Sequence, residues 1–216
     1  MSRPTNHDDV IIRNLRNDDI SKVVELQKAA FPYMAAEGVY WKPEQLEGHL
    51  KIFPEGQFVA DYNGIIVGSC SSLIVQFDPE YKDHTWKEAC GDNIFSAHNP
   101  KGDSLYGADI STHPDYRRLG VATKIYDARK KLAINLNLRR IIAGARLFNY
   151  CEFAKELSPL EYVQKVLKHE IREPVLEFQI KNGFKFIKIL DNYMNDPRSL
   201  NHATFIEWIN PHYIAK

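Results

Sequence analysis

The residues best suited to bind a ligand lie between Asp109 and Lys124, where a β-rich run passes through a polar turn into a helix. A helix start leaves about four backbone N–H groups without intrahelical partners and concentrates partial positive charge there. The turn contains Arg117-x-x-Gly120-x-Ala122, and the two small residues place little bulk between the backbone and an anion. This arrangement is typical of a site that binds a phosphate or pyrophosphate group.

The spacing of the turn excludes two common nucleotide sites. A P-loop requires a second glycine at a fixed distance before a Gly-Lys pair, and none is present here. A dinucleotide fingerprint requires three glycines in the turn, which contains only Gly120. A nucleotide-binding protein that uses the same turn is an alternative, although no acidic set for Mg²⁺ accompanies it.

Composition limits the class of protein. The chain has 216 residues, 44% of them hydrophobic, which is enough for a well-packed domain. Lys+Arg and Asp+Glu both number 28, so no basic excess favours a broad hold on nucleic acid. The three cysteines lack metal-ligand spacing and predict free thiols in a reducing compartment. Because the start is polar and no apolar run approaches about 20 residues, we expect a cytoplasmic protein without a signal peptide or membrane span.

The elements that position the turn follow from periodicity and turn residues. Alternating or continuous β-rich runs predict strands at 10–13, 57–62, 65–76, 105–112, 139–147, 184–190 and 203–208. Asn63-Gly64 predicts a tight hairpin between the second and third of these strands. Caps and apolar stripes predict helices that begin after Asn17, at Pro43, after Gly120, at Pro159 and at Pro174.

Two further features of this pattern bear on function. The helix after Gly120 has Val121 and Ile125 on its apolar face, which places Arg129, Lys130 and Lys131 on a solvated face. The 77–103 stretch has little periodicity and is long for a plain loop, which indicates an insertion that can act as a lid or binding loop.

The turn and the order of elements together resemble the GNAT acyltransferase superfamily. The R-x-x-G-x-A pattern resembles the family's coenzyme A loop, and Asn182-Gly183-Phe184 resembles its helix-ending N-G-F. The resemblance covers about residues 10–210 and is closest to acetyltransferase domains that are sometimes joined to a carbon–nitrogen hydrolase domain. It implies an α/β (α+β) fold with a mixed, mostly antiparallel central sheet flanked by helices and one parallel strand–helix–strand crossover that binds CoA. It also implies a single domain over 1–216, with insertions at about 77–103 and 149–173.

The resemblance implies an acetyl-CoA site. The N–H groups of the loop would hold the pyrophosphate, and the strand before it would pair with the pantetheine arm. A polar residue after the next strand would also touch CoA. The residues carried over on these grounds are Ile110, Thr112, Arg117, Arg118, Leu119, Gly120, Val121, Ala122, Thr123 and Asn149. The aromatic linker at 31–41 would help to wall the acceptor site, or it is a loop packed on the core.

Acyl transfer from a thioester to an amine requires a base, polarisation of the carbonyl and a proton for the thiolate. Backbone N–H groups near Ile110 can polarise the carbonyl, and Asp109 is the candidate base; the alternative is a structural role for Asp109 at a strand irregularity. Many family members carry a Tyr acid at the position of Gln179, whose amide has no ionisable proton. We therefore expect Tyr150 to replace it, with Tyr162 as second choice.

These features predict an N-acetyltransferase that moves an acetyl group from acetyl-CoA to a primary amine in a ternary complex. The acceptor would be a small molecule, a peptide or a lysine, with no metal, nucleic-acid or membrane partner, and a homodimer is left open. Glu37, Glu44 and Glu47 can select a cationic amine, or they are ordinary exposed helix charges. The alternative function is a non-catalytic CoA-binding module that regulates or associates with another enzyme.

Overall fold

The centre of the fold is a mixed sheet, seen in a computed structural model that describes residues 9–77 and 80–215. Its strands are β1 (Val10–Asn14), β2 (Phe58–Tyr62), β3 (Ile65–Val75), β4 (Ser104–Thr112), β5 (Arg140–Arg146), β6 (Lys185–Leu190) and β7 (Ala203–Ile209). They form one seven-stranded sheet in the order β1-β2-β3-β4-β5-β7-β6. All neighbours run antiparallel except β4 and β5. The predicted mostly antiparallel sheet with one parallel crossover is confirmed.

Helices pack on both faces of this sheet. They are α1 (Ile20–Ala30), α2 (Pro32–Ala36), α3 (Pro43–Ile52), α4 (Trp86–Cys90), α5 (Val121–Asn135), α6 (Pro159–Leu167) and α7 (Pro174–Lys181). Ile66 of β3 packs with α1, whereas its neighbour Val67 packs with α5. Successive strand residues point to opposite faces, so we call the α1 side the front face and the α5 side the back face. No helix in the described ranges is both long and apolar enough to cross a bilayer.

Most of the predicted boundaries agree with the structure to within a few residues. The hairpin turn is confirmed, with Asn63 at φ 51° and Gly64 at φ 85°, as are helices that begin at Pro43, Pro159 and Pro174. The predicted cap at Asn17 is wrong. A 3-10 turn covers Asn17–Asp19, and the carboxylate of Asp19 accepts the Arg16 N–H at 3.0 Å.

The described part of the 77–103 insertion, residue 77 and residues 80–103, is packed onto the sheet rather than loose. It contains α4, which the sequence analysis missed, and it buries Cys90 and Phe95 against the core. The Tyr81 hydroxyl donates to Glu207 at 2.8 Å, and Glu207 is paired with the fully buried Arg140 at 3.1 Å. These contacts attach the insertion to β5 and β7 of the sheet.

Candidate active site

The strands β4 and β5 pair along only part of their length, and we call the region beyond their last pair the cleft. Residues 104–106 of β4 pair with residues 140–142 of β5, and no further β4–β5 pair follows within the described ranges. β4 nevertheless continues to Thr112 and β5 to Arg146. The edge of β4 that faces β5 is therefore available to an extended ligand, which can add its own hydrogen bonds to the strand. Both strand residues predicted to contact CoA, Ile110 and Thr112, lie on this edge.

A β-bulge determines which side chains of β4 face each side of the cleft. Ser72 pairs with Gly107 and Ser71 with Asp109, so Ala108 is an extra residue. A Cβ on Gly107 would lie 3.2 Å from Arg129 of α5, on the back face. The carboxylate of Asp109 instead accepts a hydrogen bond from Gln27 of α1 at 3.0 Å, on the front face.

Two side chains hold the bulge in place. Arg129 is only 4% exposed and donates to the Ser72 hydroxyl at 3.0 Å, to the Ser71 carbonyl at 2.8 Å and to the Asp109 carbonyl. The indole N–H of Trp86 donates to the Ala108 carbonyl at 3.0 Å. The prediction that Arg129 lies on a solvated face is wrong, because the bulge supplies it with buried acceptors.

The environment of Asp109 favours proton acceptance. Burial raises the pKa of its carboxyl, against the opposing effects of the Arg129 charge and of side-chain hydrogen bonds from Trp41 and Gln27. The Gln27 amide oxygen accepts the Trp41 backbone N–H at 2.8 Å, which turns the amide nitrogen towards Asp109. A carboxyl with a raised pKa is a stronger base than an ordinary exposed one.

The predicted anion loop has the geometry that its sequence indicates. Gly120 adopts φ 69° and Arg118 φ 66°, both in the left-handed region, and α5 begins at Val121. The first intrahelical bond joins Lys124 N–H to the Gly120 carbonyl at 3.0 Å. Among the described residues, no acceptor is bound by the N–H groups of residues 120–123. This group of free donors fits a phosphate, and the remaining loop residues (Arg117, Leu119, Ala122 and Thr123) are partly or fully exposed around it.

Beyond the end of β5, the side chains predicted to bind CoA or to act as the acid already form hydrogen bonds within the protein. Asn149 adopts φ 62°, and its side-chain oxygen accepts from Arg198. The Tyr150 hydroxyl donates to the Leu157 carbonyl at 2.8 Å, and burial of the phenol raises its pKa. The Tyr162 hydroxyl is likewise bonded to a backbone carbonyl, at 3.0 Å. Tyr150 can therefore act as an acid only if its bond to Leu157 breaks.

A different tyrosine lies beside Gln179. The buried Gln179 amide nitrogen is 3.5 Å from the Tyr126 hydroxyl. The Gln179 side-chain oxygen has no hydrogen-bond partner among the described residues. Sequence reasoning missed Tyr126, because a tyrosine at a buried helix position is typical of core packing. Its position next to Gln179 makes Tyr126 a further candidate for the acid, besides Tyr150 and Tyr162.

Two arginines on the front side were also missed. Arg146, at the end of β5, donates to the Tyr33 hydroxyl at 2.5 Å and is paired with Asp196 at 3.4 Å. The guanidinium of Arg198 lies 4.3 Å from the ring centre of Phe148 and 5.0 Å from that of Tyr33. Tyr33 belongs to the aromatic linker, so this linker contacts the end of β5. The three glutamates considered for acceptor selection are all exposed: Glu37, Glu44 and Glu47.

Comparisons with known proteins agree with this architecture. A family model described as "Acetyltransferase (GNAT) family" matches residues 20–150. The chain is 46% identical over 209 residues to the "Probable hydrolase YhcX" of Bacillus subtilis. The aligned region covers 96% of this chain but only 40% of that relative. It is 38% identical over 202 residues to the "Uncharacterized N-acetyltransferase YkwB" of the same organism, covering 94% of the chain and 89% of the relative.

Among solved structures, the fold resembles that of the GphF GNAT-like decarboxylase in complex with isobutyryl-CoA. The TM-score is 0.75 at 18% identity, with 92% of this chain and 98% of that chain covered. At such low identity the likeness concerns the fold alone. The family match, by contrast, covers more than half of the chain and includes both the bulge and the anion loop. This protein belongs to the GNAT acetyltransferase family.

Proposed function

We propose that the protein is an N-acetyltransferase that moves an acetyl group from acetyl-CoA to a primary amine, with both substrates bound at once. One observation carries the proposal: the free N–H groups at 120–123 lie at the end of the same β4 edge that is left without a partner strand. Acetyl-CoA would supply the acetyl group as a thioester. The residues that would hold it are Ile110, Thr112, Arg117, Arg118, Leu119, Gly120, Val121, Ala122, Thr123 and Asn149.

The residues around the bulge supply the chemistry of transfer. Asp109 would accept a proton from the amine, directly or through a water, and burial favours its protonated form. Backbone N–H groups near Ile110 would polarise the carbonyl, an effect of about 2.7–4 kcal/mol in oxyanion sites. Direct transfer forms the bond from nitrogen to the acetyl carbon and breaks the carbon–sulphur bond. The electron pair leaves with sulphur, which then takes up a proton.

Paired tyrosine variants identify the donor of that last proton. Tyr150→Phe and Tyr126→Phe each remove one hydroxyl and keep the ring. The variant that lacks the acid will lose turnover while its affinity for CoA is unchanged. A variant that loses only a structural bond, such as that from Tyr150 to Leu157, will unfold at a lower temperature and keep its kcat.

The second candidate is a non-catalytic CoA-binding module associated with another enzyme. The specific observation in its favour is that the chain matches 40% of a longer relative that is named a probable hydrolase. The lack of an ionisable group at Gln179 agrees with it. Such a module would bind CoA tightly and release no CoA thiol with any amine.

Thermal unfolding with acetyl-CoA tests both candidates, with ATP and NAD as ligand controls. A ligand at about 100 times its Kd adds about 2.7 kcal/mol, and each kcal/mol raises the Tm of a chain of this size by about 2–4 °C. Ala122→Glu places a carboxylate among the loop N–H groups and will abolish the shift. The matched control is Asn135→Glu, at the exposed far end of the same helix.

Three results separate the candidates. A shift with acetyl-CoA alone, followed by thiol release in an amine screen, supports the transferase. A shift without turnover on any amine supports the module. No shift at saturating acetyl-CoA refutes CoA binding and both candidates.

A further inference from the structure

Arg146 and Arg198 form a cationic surface on the front side of the cleft. Arg146 lies where β5 ends and contacts two segments at once: Tyr33 of the linker after α1 and Asp196 of the loop between β6 and β7. Its charge also acts on the Asp109 carboxyl across the opening between β4 and β5. Arg198 contacts the same Tyr33 ring. Both guanidinium groups therefore lie next to Tyr33 on the front side, the side to which the Asp109 carboxylate points.

The charges of this surface are not balanced. Asp196 is almost fully buried, with a side chain 3% exposed, and it is paired with Arg146. No carboxylate within the described ranges pairs with Arg198, which contacts two aromatic rings and the Asn149 amide oxygen instead. Asp196 is the partner of Arg146, and Arg198 is left in a half-buried, aromatic setting without a carboxylate paired to it among the described residues. Arg198 donates to Asn149 from one guanidinium nitrogen, and a guanidinium has five N–H donors, so other donors remain for a planar anion.

We propose that Arg198, with Arg146 beside it, binds a carboxylate group of the substrate. Tyr33 and Phe148, which lie against the Arg198 guanidinium, would then flank the carbon skeleton that carries this carboxylate. The inference rests on the proposed function, because it names the substrate class of the same site. It reverses the expectation of a cationic acceptor, since the three glutamates behind that expectation are exposed and Arg198 presents a positive charge that no described carboxylate pairs with.

The carboxylate can belong to either substrate. It can be carried by the acceptor, as in an amino acid, or by the acyl chain, as in a monothioester of a dicarboxylic acid. The first arm of the test holds acetyl-CoA constant and compares phenylalanine with phenethylamine as acceptor, by CoA thiol release. The second arm compares the binding of succinyl-CoA and butyryl-CoA, which differ by a terminal carboxylate.

The readout is the ratio between the members of each pair, in kcat/KM or in Kd. In the wild-type protein we expect one arm to favour the carboxylate-bearing member by at least tenfold. Arg198→Gln will bring that ratio to within about twofold of one, and Arg198→Lys will retain part of it, because a point charge replaces a planar fork. The matched control is Arg139→Gln, an exposed arginine next to the opposite end of β5, which will leave the ratio unchanged.

A ratio near one in both arms of the wild-type comparison overturns the inference, even if the variants fail to fold. A wild-type preference that survives in folded Arg198→Gln overturns it as well. If acetyl-CoA binds and is turned over while both ratios are near one, the proposed function stands and this inference fails. If acetyl-CoA does not bind, the proposed function fails; tenfold tighter binding of N-acetylphenylalanine than of N-acetylphenethylamine then supports the Arg198 site, and equal binding overturns it.

Discussion

Acidification between pH 7.5 and 5.0 should destabilise this protein through His49, which packs α3 against the 77–103 insertion. The His49 ring is fully buried, stacks on Phe95 at 3.7 Å and makes a perpendicular contact with Trp41 at 4.7 Å, both measured between ring centres. Nε2 lies 2.8 Å from the Asn93 carbonyl and must donate to it, since a carbonyl only accepts. Nδ1 is buried and has no partner among the described residues. An added proton on Nδ1 would create a buried cation, and the attraction of the nearby Asp92 carboxylate offsets only part of the cost of its burial.

The size of the effect follows from the pKa of His49. Burial lowers this pKa from 6.5 to about 4. The unfolded chain therefore binds a proton near pH 6.5 and the folded chain only near pH 4, so stability falls as the pH drops through that interval. At about 1.4 kcal/mol per pKa unit, the full loss is about 3 kcal/mol below pH 4. At pH 5.0 it is about 2 kcal/mol.

Denaturant unfolding at pH 7.5 and 5.0 measures this loss in three proteins. His49→Gln removes the titrating ring and keeps an N–H donor for Asn93, while His212→Gln is the control at an exposed histidine. On acidification the wild-type protein and His212→Gln should lose about 2 kcal/mol more than His49→Gln. All other titrating groups are shared by the wild-type protein and His49→Gln, and they cancel in this difference. Parallel losses in all three proteins would refute the reasoning.

Three further predictions concern the base and two buried carboxylates. Asp109→Asn should lower kcat/KM by about 10²–10⁴ without lowering the Tm, since burial disfavours the charged form; a fall in Tm with activity retained would make Asp109 structural. Glu207→Gln leaves the fully buried Arg140 without its carboxylate and should cost about 3–5 kcal/mol in denaturant unfolding, so a loss below about 1 kcal/mol contradicts it. Glu173 caps α7, and burial raises its pKa from 4.5 to about 7. The wild-type protein therefore loses stability from this group as the pH rises from about 4.5 to 7, whereas Glu173→Gln has no carboxyl to titrate. Over that interval the free energy of unfolding of Glu173→Gln should increase by about 3 kcal/mol relative to that of the wild type. A difference between the two proteins that does not change with pH refutes this prediction.

Local signals were enough to predict most of the fold. Asn63-Gly64 predicted its hairpin, and prolines at 43, 159 and 174 marked helix starts, because these residues restrict their own backbone. The anion loop was predictable from local sequence for the same reason, because its strand, turn and helix start are contiguous in the chain. Short α4 was missed because five residues give too little periodicity to detect.

The side chains that surround the cleft were harder to predict, because their partners are distant in sequence. Arg146 and Arg198 belong to different segments and meet only when the loop after β6 folds against the end of β5. Tyr150 was selected for its hydroxyl, but the acceptor of that hydroxyl is a backbone carbonyl that only the folded loop at 150–157 provides. Residue type predicted which chemistry each side chain can do, and tertiary contacts decide whether it is free to do it.

The bulge in β4 shows why the strand pattern alone could not orient the proposed base. In a regular strand, residues 107 and 109 point to the same face, and Asp109 would then face Arg129 from the back. An ion pair there would hold the Asp109 pKa low and weaken it as a base. The extra residue Ala108 turns the carboxylate to the front, so Arg129 binds the Asp109 carbonyl and leaves its carboxylate to Gln27. Trp86 of the insertion donates a hydrogen bond to the Ala108 carbonyl, and Arg129 of α5 donates one to the Asp109 carbonyl. The proton acceptor proposed here therefore depends on a one-residue register shift that elements outside the strand maintain.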